Sequence, residues 1–77
     1  MTLEVFDVVR VARLLHPSRD VDGSSVEPQQ PRVGERGTVV DLLGDDLYLV
    51  ERTTDDGRTL WLAEFHEQEL ELLDRPA

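Results

Sequence analysis

The chain has 77 residues, a formal net charge of -9, seventeen Asp and Glu against eight basic residues, and no cysteine. A length of this order makes one domain, which buries only about 60% of the surface its unfolded chain exposes. Without cysteine, neither a disulfide nor a Cys-based zinc site can staple it, so packed side chains or a partner must offset the ordering entropy. The acidic balance, with every basic residue an arginine, disfavours nonspecific nucleic-acid binding, because a polyanion is repelled at long range.

The start Met1-Thr2-Leu3-Glu4 has neither the basic nor the apolar region of a secretory signal, and no apolar run approaches the roughly 20 residues that cross a bilayer. A cytoplasmic location is therefore expected. Residues 6–14, Phe6-Asp7-Val8-Val9-Arg10-Val11-Ala12-Arg13-Leu14, read as a first strand with Val9 and Val11 on one face, with a short helix as the alternative that Ala, Arg and Leu favour. Residues 16–32 carry Pro17, Pro28 and Pro31 around Asp22-Gly23-Ser24-Ser25, which deny both helix and ladder pairing and predict a long loop. Loops of this length are usually functional or disordered, and its polar residues Asp20, Asp22, Ser24 and Glu27 are candidates for partner binding.

Beyond Gly37 the pattern is a meander. Strands are predicted over 38–43, 47–52 and 59–65, separated by turns at Gly44-Asp45-Asp46 and Asp55-Asp56-Gly57. His66-Glu67-Gln68-Glu69 is too short for an independent helix and suits one 3₁₀ turn, after which 70–73 closes as a fifth strand. Five strands, a long first loop, two tight turns and a single helical turn before the last strand describe an all-β, five-stranded SH3-like small barrel with an ordered core over about 5–73.

The segments Phe6-Asp7-Val8-Val9, Val33-Gly34-Glu35-Arg36-Gly37-Thr38-Val39-Val40, Leu47-Tyr48-Leu49-Val50-Glu51, Asp56-Gly57-Arg58-Thr59-Leu60 and Gln68-Glu69-Leu70 together resemble a bacterial family of short domains of unknown function, similar to KOW-type and SH3-like barrels. The resemblance covers most of 5–73 outside the first loop. It implies the barrel fold, no cofactor and no transferable catalytic residue, and a partner-binding role of the kind immunity or antitoxin factors perform. Trp61 and Leu49 depart from the smaller or polar residues usual at those places, and the first loop is longer.

Residue chemistry points away from catalysis. His16 and His66 sit at opposite ends of the chain and are expected to stay apart, as ordinary exposed imidazoles. Asp20-Val21-Asp22-Gly23-Ser24 starts like a calcium loop, but the ligand series stops early, so the segment reads as a turn. Asp45-Asp46 and Asp55-Asp56 are adjacent carboxylates at turns, where Asp bonds the local backbone. Gly34 and Gly37 lack the lysine and the following helix of a phosphate loop, and a backbone-conformation role is expected of both. No nucleophile–base pair, metal cluster or cofactor loop is legible, so the chain reads as a non-enzyme without cofactor.

Strand parity supplies the positive signal. With Tyr48, Val50, Trp61, Ala63 and Phe65 inward, joined by Val9, Val11, Val40 and Leu42, the opposite face receives Val39, Leu43, Leu47, Leu49, Leu60 and Leu62. Leu47, Leu49, Leu60 and Leu62 then form an apolar patch suited to another protein or to a second copy of the chain. The expected function is a noncatalytic protein-interaction module using this face and an acidic surface. A KOW-like nucleic-acid or ribosome-associated domain and an accessory subunit of an enzyme are the alternatives.

Overall fold

The computed structural model describes residues 2–16, 19–22 and 29–76. They form one antiparallel sheet from β1 (Val8–Val11), β2 (Val21–Asp22), β3 (Arg36–Leu42), β4 (Leu47–Thr53), β5 (Thr59–His66) and β6 (Leu70–Asp74), with one 3₁₀ turn at Glu67–Glu69. The spatial order is β2-β5-β4-β3-β1-β6. The five strands expected from the sequence are all present, and β2 is an addition within the segment read as a loop: Val21 pairs with Ala63 and Asp22 with Leu62. The end strands β2 and β6 are not paired with each other.

The punctuation follows the residues. Asp55-Asp56-Gly57 turns between β4 and β5, with the Gly57 N–H bonded to the Thr54 carbonyl and Gly57 at φ +90°, the left-handed geometry that glycine adopts without steric cost. The Asp56 carboxylate accepts from the Thr54 hydroxyl, a bond that, ahead of the Arg58 contact, holds its pKa below the ordinary value. The first strand is shorter than expected. Phe6 takes a left-handed φ of 76° and breaks the run before Val8, and the Ala12 and Arg13 N–H groups turn to the Glu69 carbonyl.

The inner face packs Val9, Val11, Val39, Tyr48, Val50, Trp61, Ala63, Phe65 and Leu70 together with Leu3. Expected parity holds on β1, β4 and β5 and fails on β3, where Val39 is buried, Val40 is half-buried and Leu42 is exposed. The register explains the correction. Val9 lies opposite Gly37 and Val50 opposite Val39, so the inward set on β3 is Gly37 and Val39. A bulge at Val40 then shifts the phase, setting Leu42 opposite Tyr48 at the hairpin end, beyond the core. Gly37 is also reassigned. A Cβ there would lie 2.7 Å from Val50 Cγ1 and 2.9 Å from the Glu51 carbonyl oxygen, so its role is close approach of strands, whereas Gly34 at φ +95° meets the expected conformational role.

Trp61 is fully buried, as expected. Its indole N–H donates to Glu35 Oε1 at 3.3 Å, and its ring meets Phe65 at 5.5 Å and 46°, a tilted arrangement that suits two π quadrupoles.

Two carboxylates are buried with the apolar core, and strand parity alone reveals neither. Asp7 accepts from Arg75 through Nε and Nη2, both at 2.9 Å, and from the Glu4 N–H at 2.7 Å. The Arg75 bonds hold its pKa below the ordinary carboxylate value against the opposing effect of burial. Glu69 accepts from Arg19 Nη2 at 2.5 Å and from the His66 and Leu15 N–H groups at 2.9 and 3.0 Å. Burial pushes the Glu69 carboxyl up, and the Arg19 and backbone bonds together outweigh it, leaving a lowered pKa. Arg19 also lies 4.5 Å over the Phe65 ring and donates to the His16 and Glu64 carbonyls. The segment read as a long loop is thus held to the sheet on both sides of residues 23–28: Val21 pairs with Ala63 and packs against the core on one side, and on the other the Gln29 N–H donates to the Leu60 carbonyl while Gln30 exchanges two bonds with the Arg19 backbone.

Candidate functional site

Alternation gives β4 and β5 an outer face made of Leu47, Leu49 and Glu51 on one strand and Leu60, Leu62, Glu64 and His66 on the other. Leu47, Leu49 and Leu62 are half-buried there, and Leu60, also half-buried, packs against the edge of the core. The register interleaves apolar and acidic side chains. Leu47 faces His66, Leu49 faces Glu64, and Glu51 faces Leu62. Leu49 and Leu62 therefore meet on a diagonal, and the four leucines form a checkerboard with glutamates where the sequence suggested a continuous patch. On the other side of Leu49, β3 places the exposed Asp41 in register with it. No outer position of these two strands carries an arginine.

Two clefts run along this face. One, of about 240 Å³, is lined by His16, Arg19, Asp20, Leu47, Glu64, His66 and Glu69. The other, of about 200 Å³, is lined by Asp20, Val21, Leu49, Leu62, Ala63 and Glu64. Asp20 and Glu64 belong to both and form the partition between them. Of the loop candidates, Asp20 thus reaches the site and Asp22 pairs in β2, so Val21–Asp22 is strand where a turn was expected, while Ser24 and Glu27 lie outside the described residues.

The imidazoles do converge, contrary to expectation: the His16 and His66 rings stand 5.9 Å apart, tilted by 49°. Pairing of β1 with β6 draws the two ends of the chain together, and the Arg19–Glu69 latch brings the segment after β1 onto the end of β5. His66 Nδ1 lies 3.6 Å from Asp46 Oδ2, a distance for charge interaction and too long for a hydrogen bond. The described residues that line this cleft include no hydroxyl side chain, and among the described residues no group of three His, Asp or Glu is placed to hold a metal ion. Glu69, the most buried acid of the cleft, is already saturated by four donors.

Glu69 and Arg19 are the residues the sequence reading missed. A signal existed: a Glu three residues after His66, at the third position of a one-turn helix, is placed to reach back to the N–H that opens the turn, as Glu69 does. No comparable signal marked Arg19, whose partner lies 50 residues away.

Comparison with family models, with curated proteins and with solved structures gives no significant match to this chain. Among the described residues no helix is long and apolar enough to cross a membrane.

Proposed function

We propose that this chain is a noncatalytic protein-interaction module on an SH3-like barrel, acting through the outer face of β4 and β5. The barrel reading is supported by the strand order, the two tight turns and the single 3₁₀ turn before the last strand. One observation carries the functional reading. With the inner face filled by Trp61, Phe65, Tyr48 and their neighbours, Leu47, Leu49 and Leu62 are left half-buried on the opposite face, beside two clefts. Exposed apolar area costs about 25 cal/mol per Å², so a partner covering these leucines gains a driving force before any specific contact forms. The acidic residues around them disfavour the nucleic-acid alternative, since phosphates need arginine or lysine, the outward positions of β4 and β5 carry neither, and Arg19 in the adjoining cleft is already paired with Glu69.

The absence of cysteine makes the test clean. A photo-cross-linker attached at Leu49→Cys should give one discrete adduct in host extract, lost when Leu62→Glu is added. The same reagent at Glu71→Cys, on β6, should not give it. Equal adducts from both positions would remove the outer face as the interface. Sedimentation of the parent and of a Leu49→Glu, Leu60→Glu double variant at low and high salt separates the two kinds of occupant. A second copy gives self-association that strengthens with salt as like charges are screened.

A further inference from the structure

Resting on the reading of the outer face as an interface, we infer that its occupant is a basic amphipathic helix of another protein, which seats an apolar side chain on Leu49 between arginines or lysines that meet Asp41 and Glu64.

The register defines the row. Asp41 on β3, Leu49 on β4 and Glu64 on β5 are consecutive cross-strand neighbours, and Asp20 stands beside Glu64 at the partition of the two clefts. Asp41, Glu64 and Asp20 are all exposed. None of the three meets a cation within ion-pair distance among the described residues. Arg19, which reaches the Glu64 backbone, is committed to Glu69, to Phe65 and to the carbonyls of His16 and Glu64. The carboxylates of this row, of which Asp41 also accepts from the Leu42 N–H, are thus left without an ion pair among the described residues and exposed to a partner's cations.

Spacing selects the helix. Two strand separations set Asp41 and Glu64 about 10 Å apart at the backbone. Residues i and i+7 of an α-helix are also about 10 Å apart on one face, with i+3 and i+4 between them. An extended segment places same-face neighbours at about 7 or 13 Å and fits the row less well. A second copy of the chain is a poor occupant, because it would set Asp41 and Glu64 against the same carboxylates at net charge -9.

The probe is an alanine-based peptide of about 20 residues, long enough to hold a helix, with Arg at i and i+7 and Leu at i+4. Controls carry Glu in place of Arg, or the same arginines at i and i+2. Titration of the labelled full chain, read by backbone amide NMR, should show saturable shifts on β3, β4 and β5 with the first peptide. Affinity should fall with added salt, and by about tenfold or more in an Asp41→Asn, Glu64→Gln variant, whose changes are exposed and should leave the thermal midpoint in place. Equal binding of the Glu peptide or the i, i+2 peptide, no effect of the double variant, or no saturable binding of any peptide overturns the inference. The cross-linking result at Leu49 still stands or falls separately. Saturable shifts confined to another surface remove both the inference and the interface reading, and concentration-dependent shifts on this face without peptide identify a second copy as the occupant.

Discussion

The two faces of the β4–β5 hairpin share their strands, turn and neighbours and differ only in side-chain parity. Inward, Tyr48, Val50, Trp61, Ala63 and Phe65 are at most 2% exposed. Outward, leucines alternate in register with glutamates and keep part of their surface in water. The inner face is held by burial and shape, which tolerate little change, whereas the half-buried leucines of the outer face have less packing to lose, and this is the face proposed above for a partner. On the proposed reading of the outer face, stability and recognition are separated by a single residue step along each strand.

Substitutions one residue apart test that separation. Trp61→Ala should cost about 3–5 kcal/mol through transfer and cavity terms, enough to unfold so small a domain in a urea melt. An unchanged melt would mean that the indole contributes no packing and that the inner face is not the core.

The Arg19–Glu69 pair comes next, because it lies outside the alternation of β4 and β5 and holds the first loop to the end of β5. Glu69→Gln leaves a half-buried guanidinium without its counter-charge and should cost about 3 kcal/mol, within the range for breaking one partner of a buried pair. Arg19→Met, Glu69→Gln together should cost less than the two single changes added, and strict additivity in the double-mutant cycle would show that the two side chains do not interact. The same carboxylate sets part of the acid limit. Asp7 and Glu69 both have lowered pKa values in the fold, so each contributes stability that is full above its unfolded value of about 4 and is lost as pH falls through the lower folded value. Asp7→Asn and Glu69→Gln should each flatten the stability–pH curve below about pH 4, and a parallel curve would remove that residue from the linkage.

Gly37→Ala should cost about 1–3 kcal/mol by forcing β3 away from Val50 and the Glu51 carbonyl. Gly34→Ala acts through left-handed backbone and meets no neighbour. A backbone shift between β3 and β4 in the first variant alone, seen as amide NMR changes across that pair, separates the two glycine roles. The smallest effect is expected on the outer face: Leu49→Ala should lower stability by about 1 kcal/mol or less, because the side chain is only half-buried. A loss as large as that of Trp61→Ala would make Leu49 part of a second core and deny the face its freedom.

Much of the fold was legible because its signals are local. The turns at Asp45-Asp46 and Asp56-Gly57, the apolar runs of β4 and β5 and the single turn before β6 each depend on neighbours within a few residues, and the inward placement of Trp61 and Phe65 followed from simple alternation. Parity failed on β3, where a bulge at Val40 breaks the period of two. It also misjudged the first loop, because Pro and Gly content reports what a segment cannot pair with locally and says nothing of a two-residue strand against Ala63.

By itself the sequence determined an all-β chain, the boundaries of five of its six strands to within a few residues, the buried aromatic core and the acidic, leucine-bearing opposite surface, since backbone preference and alternation are written residue by residue. Tertiary structure alone decided the Arg19–Glu69 latch, the Asp7–Arg75 pair, the approach of His16 to His66 and the row of Asp41, Leu49 and Glu64. These depend on strand register and on closure between segments far apart in the chain, and a one-residue shift in register would reassign each of them.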